Sequence, residues 1–342
     1  MSGLHYPFGD TLPPDGDSLE VAPGIRWLRM PLPFALDHIN LWLVDDGDGW
    51  AIVDCGLKSD TTKGLWDRVL EHAGGRRVTR LFTTHFHPDH MGLAGWLCET
   101  HEIEMWTTRT EWMMARALYL DAEDANRREM AEFYRVNGIP DAWYENSVGT
   151  GNTYRRALEE PPARFRRVHD REPIEIGGRR WEVRVGEGHA PEHAALYCAE
   201  AGVLISGDHI LPRISPHIGL WASEPAANPL RDYVESIETF RDLPAETLVL
   251  PSHIAPFTGL HDRIDEIQAH HRDRLGKLRD VIGDAPMTAY EAIPHMFGRQ
   301  FEDFHLGLAM GECLAHLALL EKEGALSLEQ GADGIRRYRR IH

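Results

Sequence analysis

The sequence predicts an α/β fold in which strands alternate with helices and carry polar residues at their ends. Three observations lead there. Short apolar, β-branched runs at residues 78–83, 203–206 and 248–250 are each followed within three residues by histidine or aspartate. Between strand-like runs, residues 61–73 repeat Leu65, Val69 and Leu70 at helical spacing. Beyond Pro256 the pattern turns helical, with Ile264, Ile267, His271, Leu275, Leu278 and Ile282 recurring three or four apart.

Taken in order, residues 1–20 are polar and rich in Pro and Gly, and read as a surface tail. Residues 24–29 and 40–44 read as strands, and 50–54 as the return strand of a hairpin across an acidic, Gly-containing turn. Asp54 ends that buried strand, where a carboxylate costs free energy unless it is paired. It either supports a histidine or caps the next helix. After the strand at 78–83 comes Thr84-His85-Phe86-His87-Pro88-Asp89-His90-Met91-Gly92. His85 and His87 lie two apart and point to one side; Pro88 stops the strand. Asp89 and His90 then open a helix running through Leu93, Ala94, Trp96 and Leu97. So many ligand-type side chains in six positions are hard to explain as packing, and they suit two adjacent metal ions better than one.

Residues 107–162 read as an insertion of amphipathic helices, broken near Gly138-Ile139-Pro140. Three roles fit it: a lid, a homodimer interface, or extra packing on the core. Strands resume at 174–176 and 180–185. Gly188-His189-Ala190-Pro191-Glu192-His193 follows, and a histidine beside glycine can approach a metal closely. The strand at 203–207 ends in Asp208 and the one at 248–251 is followed by His253. Thr288-Ala289-Tyr290-Glu291 has the form of a capping box, and a long helix over 301–323 ends at Gly324. The arginines at 336, 337, 339 and 340 read as a solvated tail.

Composition narrows the class. A hydrophobic content of 42% and a charged content of 26% are ordinary for a globular chain, and the net charge of −18 disfavours nucleic acid and anionic membranes. The cysteines Cys55, Cys98, Cys198 and Cys313 are scattered, without a Cys-x-x-Cys pair, so neither a disulfide framework nor a zinc ribbon is indicated. No signal peptide or apolar run of membrane-spanning length is visible, and the expected location is the cytoplasm.

The pattern His-x-His-x-Asp-His resembles the signature of the metallo-β-lactamase superfamily. The resemblance covers residues 21–258 apart from the insertion, and implies an αββα sandwich: two mixed sheets face to face with helices outside. It leaves residues 259–342 as a C-terminal helical, winged-helix-like module, acidic on balance. It implies that His85, His87 and His189 hold one metal, that Asp89, His90 and His253 hold a second, and that Asp208 bridges them. Asp54 and His193 become supporting residues, with His193 behind His189. Asp89 and Asp208 are the catalytic acids, Asp89 orienting the nucleophile. His209, Arg213, His217 and Trp221, following Asp208, are expected at the mouth, the last three as substrate contacts.

Imidazole and carboxylate suit zinc, with iron or manganese as alternatives. The implied activity is that of a dinuclear hydrolase, in which a metal-bound hydroxide attacks an electrophilic carbonyl. The chain looks most similar to hydrolases of the hydroxyacylglutathione hydrolase and β-lactamase-like protein 2 type, which makes a small-molecule thioester or ester the expected substrate. A lactonase is the nearest alternative. An iron-dependent sulfur dioxygenase and a metal-dependent nuclease are alternatives of other classes.

Overall fold

The computed structural model describes residues 3–34 and 36–341. The first strands are β1 (Leu19–Ala22), β2 (Ile25–Pro31), β3 (His38–Asp46) and β4 (Gly49–Val53), followed by helix α1 (Asp60–His72) and β5 (Arg77–Phe82). Helices α2 (Pro88–Met91) and α3 (Ala94–His101) precede β6 (Met105–Thr107). Then come α4 (Arg109–Leu120), α5 (Ala125–Val136), α6 (Asp141–Gly149), α7 (Thr153–Ala157) and β7 (Arg166–Arg167). Next are β8 (Pro173–Ile176), β9 (Arg179–Gly186), β10 (His193–Cys198), β11 (Val203–Gly207), α8 (Pro229–Glu238) and β12 (Leu248–Pro251). The chain closes with α9 (Leu260–Val281), α10 (Ala289–Phe297), α11 (Asp303–Lys322), β13 (Leu326–Gln330) and β14 (Arg336–Arg340).

One compact unit comprises Met1–Leu120, Tyr154–Pro216 and Ile237–Ile264. Its first sheet has the order β1-β2-β3-β4-β5-β6-β7, antiparallel up to β4 and parallel from β4 onward. Its second has the order β12-β11-β10-β9-β8, with only β11 and β12 parallel. Alternate residues of β3 explain the layering. Trp42 and Val44 join Trp27, Val53 and Phe82 against Trp181, Val183, Leu196 and Ile205 of the second sheet. Leu41 and Leu43 point the other way, into a core with Leu65, Trp66 and Val69 of α1 and Leu97 of α3. A strand covered on both faces reads as a continuous apolar run. The expected αββα sandwich is therefore present.

Ser59 caps α1 by accepting from the Thr62 amide, so capping is not the task of Asp54. The helix expected to run from Asp89 through Leu97 is two helices, α2 and α3. The chain folds tightly here because Gly92 lies against the Gly56 carbonyl, where an added Cβ would sit 2.4 Å from the oxygen. The N-terminal segment is not a loose tail. His5 exchanges backbone hydrogen bonds with Thr258, and Phe8 packs on Trp27.

The other unit comprises Asp121–Thr153, His217–Ser236 and Asp265–His342. These boundaries differ from those drawn on sequence: most of the helical insertion belongs with the C-terminal segment, and α4 with the sheets. Within this unit the Trp143 indole donates to the Asp303 carbonyl at 2.8 Å, and the Tyr290 amide to the Asn137 carbonyl. Helix α6 and the C-terminal end of α5 thus have hydrogen-bond partners remote in sequence. The capping box at Thr288 and Glu291 is formed. The arginine run at residues 336–340 is a strand rather than a tail. It pairs with β13, buries Tyr338, and sets Arg337 on Asp333 and Arg339 on Glu329.

Candidate metal centre

Strand ends from both sheets bring the ligand-type side chains together. β5 leads into His85 and His87, and α2 carries Asp89 and His90. The β9–β10 connection carries His189. In the parallel pair β11–β12, Gly207 stands opposite Pro251, so Asp208 and His253 emerge at the same edge. Two groups result. His85, His87, His189 and Asp208 form one, and Asp89, His90 and His253 the other, with the ligand atoms of each group within 4.8 Å of one another. Asp208 faces both groups: Oδ2 lies 3.6 Å from His189 Nε2 and Oδ1 3.3 Å from His253 Nε2.

The surroundings fix these side chains. Asp54 has a left-handed backbone with φ of 59°, which turns its carboxylate back onto Thr84 and His90. It accepts from the Thr84 amide (2.7 Å) and hydroxyl (2.9 Å), and from His90 Nδ1 at 2.8 Å. His253 Nδ1 lies 2.9 Å from the His38 carbonyl, and His38 Nε2 accepts from the Ile254 amide. The Asp208 amide donates to His193 Nε2 at 3.2 Å. That bond requires Gly207, where a Cβ would come within 2.4 Å of the same nitrogen. His193 therefore also holds the Asp208 backbone, while its ring lies 6.4 Å from that of His189.

Proton bookkeeping tests whether these residues fit a metal. The His38 carbonyl can only accept, so His253 Nδ1 carries hydrogen and the lone pair of the neutral ring is on Nε2. That nitrogen faces carboxylate oxygens of Asp208 at 3.3 Å and Asp89 at 3.5 Å, which also only accept. His90, held at Nδ1 by Asp54, likewise points Nε2 at Asp208 (3.5 Å) and Asp89 (3.7 Å). His90 Nε2 and Asp208 Oδ1 are buried without a hydrogen bond. Nitrogens and carboxylates that converge in this way need positive charge between them, which a metal ion supplies and, without one, a proton on the ring. Burial opposes charge on His90, but Asp89, Asp208 and Asp54 outweigh it and hold its pKa well above the ordinary value. Burial, reinforced by His90, His87 and His189, holds His85 well below it, in the neutral form that ligates metal. The donor set is that of divalent zinc, iron or manganese.

The sequence profile of the metallo-β-lactamase superfamily matches residues 35–253. The chain belongs to the metallo-β-lactamase superfamily. It is accordingly a metal-dependent hydrolase, and its clusters are metal-binding clusters of that fold. A second profile, the C-terminal domain of metallo-β-lactamase-like proteins, matches residues 275–341. The chain is similar to a β-lactamase domain protein from Burkholderia ambifaria, 43% identical, with a TM-score of 0.91 over 99% of this chain and 98% of that one. A metallo-β-lactamase family protein from Thermus thermophilus is 32% identical, with a TM-score of 0.80 over 94% and 100% of the two chains. A probable metallo-hydrolase of Bacillus subtilis, YqjP, is 26% identical over 88% of this chain and 93% of its own length.

Within this superfamily member, the residues expected at the mouth behave differently from the ligand groups. His209 is fully buried rather than at an opening. Its ring packs on His193 and Phe240, and burial pushes its pKa down to about 3. Arg213 stacks on the Tyr6 ring and donates to the Tyr6 hydroxyl at 3.2 Å. His217 is engaged through Nε2 with the Leu308 carbonyl at 3.0 Å, with Trp221 beside its ring. None of these four is in either ligand group. Sequence reasoning missed His38, Thr84 and Glu111, all of which hold the backbone or rings of the centre. Glu111, on the same helix face as buried Ala115, carried the one signal: an acid in an apolar stripe.

Proposed function

We propose that this chain is a dinuclear hydrolase of small-molecule thioesters or esters, with two zinc ions as cofactors. His85, His87 and His189 hold one ion, Asp89, His90 and His253 the other, and Asp208 is shared. The observation that carries this reading is the Asp208 carboxylate, which lies between the two groups: Oδ2 is near both His189 and His90, and Oδ1 faces His253. When bound, the metals supply Lewis acidity, polarising a carbonyl and lowering the pKa of water to about 7.

The protein's own part is orientation. Asp54 and the His38 carbonyl fix His90 and His253, so the ligand nitrogens are aimed before substrate arrives. The Asp89 side chain is 20% exposed against 10% for Asp208. Asp89 is thus the carboxylate available to orient the attacking water and hold its proton. The net charge of −18 supports a small substrate over nucleic acid, because a nuclease needs cations against backbone phosphates. No helix among the described residues is long and apolar enough to cross a membrane.

Metal analysis of the purified chain, followed by a hydrolysis panel of thioesters, esters, lactones and phosphodiesters, tests the proposal. Two zinc ions per chain with turnover of thioesters or esters is the expected result. One iron per chain with sulfur oxidation, or metal-dependent cleavage of phosphodiesters alone, would replace it.

A further inference from the structure

Glu111 lies in the first turn of α4 and is fully buried. Its carboxylate accepts from two backbone amides that are remote in sequence. Oε2 takes the amide of Phe86 at 2.9 Å, and Oε1 the amide of Glu192 at 2.7 Å. Phe86 is the residue between His85 and His87. Glu192 lies in the segment between His189 and His193. One carboxylate thus ties together the two loops that carry the three histidines of a single ligand group.

The surroundings reinforce the tie from both ends. The Phe86 carbonyl accepts from the Tyr154 hydroxyl at 2.5 Å, so the backbone of Phe86 is held through both its N–H and its C=O. The Glu192 side chain returns the bond by accepting from the Thr110 amide at 2.9 Å, and its carbonyl accepts from the Thr108 hydroxyl at 2.8 Å. A buried amide left without a partner is destabilising, which gives both loops a reason to stay on Glu111. Asp89, His90 and His253 have other supports, Asp54 and His38.

We propose that Glu111 is a positioning residue for one of the two metal sites, clamping the His85–His87 loop to the His189 loop through their backbone amides. This rests on the ligand assignment made above. It deepens that assignment with a site-selective consequence: loss of the clamp loosens the three-histidine site and leaves the Asp89–His90–His253 site alone.

The test is zinc competition with a chromophoric chelator on the full chain, comparing wild type, Glu111→Gln and Tyr154→Phe. Glutamine keeps one acceptor oxygen and sets an NH₂ against the other amide. Glu111→Gln should weaken one zinc equivalent about 10–100-fold, the range seen when groups behind a metal ligand are lost, with the second equivalent unmoved. Tyr154→Phe should weaken the same equivalent by less. Wild type holding two zinc ions and Glu111→Gln holding both as tightly, with only a lower Tm, would make Glu111 structural and overturn the inference alone. Equal loosening of both equivalents would overturn it too. If Glu111→Gln does not fold, Tyr154→Phe decides by the same selective or absent effect. A wild-type chain that takes up no zinc would instead sink the ligand assignment and the clamp together.

Discussion

His85, His90 and His253 in one compact unit, and His271 and His316 in the other, are all buried imidazoles packed on other imidazoles. Their proton accounts differ. His316 Nδ1 lies 2.8 Å from the Glu312 carbonyl, so it donates there and its Nε2 accepts from His271 Nδ1 at 3.1 Å. Along that chain each of these nitrogens has its donor or acceptor, and burial keeps both rings neutral. In the sheet-bearing unit, His90 and His253 spend their Nδ1 protons on Asp54 and His38, and their remaining nitrogens meet only carboxylate oxygens. Clustering of histidines does not distinguish a metal site from a packed pair. What distinguishes it is whether the second nitrogen has a donor to face.

The sharpest break of this comparison is Asp208→Ala. It removes the one carboxylate that faces both ligand groups, while the sandwich core is built from apolar strands. Turnover should fall to background and metal content should drop, with the far-ultraviolet circular dichroism unchanged. Near-wild-type turnover with both metals retained would sink the shared role.

Metal removal comes next. Chelation should lower the unfolding free energy, since a ligand present at a hundred times its Kd adds about 2.7 kcal/mol. A Tm that does not respond to chelator and to zinc restoration would show that the converging acceptors hold no metal in the folded protein.

The histidine pair should behave in the opposite way. His316→Leu should leave metal content and turnover unchanged while costing about 1–3 kcal/mol, because His271 loses its acceptor. Burial pushes the pKa of His271 down to about 2 and that of His316 to about 3, below the unfolded value of about 6.5. The unfolded state therefore binds protons first. The pair's contribution is present above pH ~6.5 and is lost as pH falls toward ~3. The stability of His316→Leu should depend less steeply on pH than wild type across that window. An unchanged slope would mean that the pair is not neutral in the native state.

The smallest effect is expected at Arg213. Its replacement by alanine removes an exposed stacking contact on Tyr6 worth about 0.5–1 kcal/mol and leaves both ligand groups intact. A rise in KM of more than tenfold at unchanged kcat would restore Arg213 to the substrate contacts.

The strand ends and the ligand motif were legible along the chain because each is local. An apolar run stops at Pro88 or at Gly207, and His85, His87, Asp89, His90, Asp208 and His253 follow within a few residues of a strand end. The two sheets were legible through the resemblance that the motif carries, and the capping box at Thr288 through its spacing. Other features depended on residues that meet only after folding. The role of Asp54 was ambiguous until Ser59 took the cap and His90 took the carboxylate. The bond from the Asp208 amide to His193 depends on Gly207, which leaves room for the ring. α5 and α6 belong with the C-terminal segment because their partners, Asp303 and Tyr290, lie more than a hundred residues on. Residue type and spacing determined which chemistry this chain carries, since a metal site needs its donors on adjacent turns and strand ends. The tertiary structure alone decided which backbone amides and carbonyls hold those donors in place, because a hydrogen bond such as Glu111 to Glu192 leaves no periodic trace in the sequence that forms it.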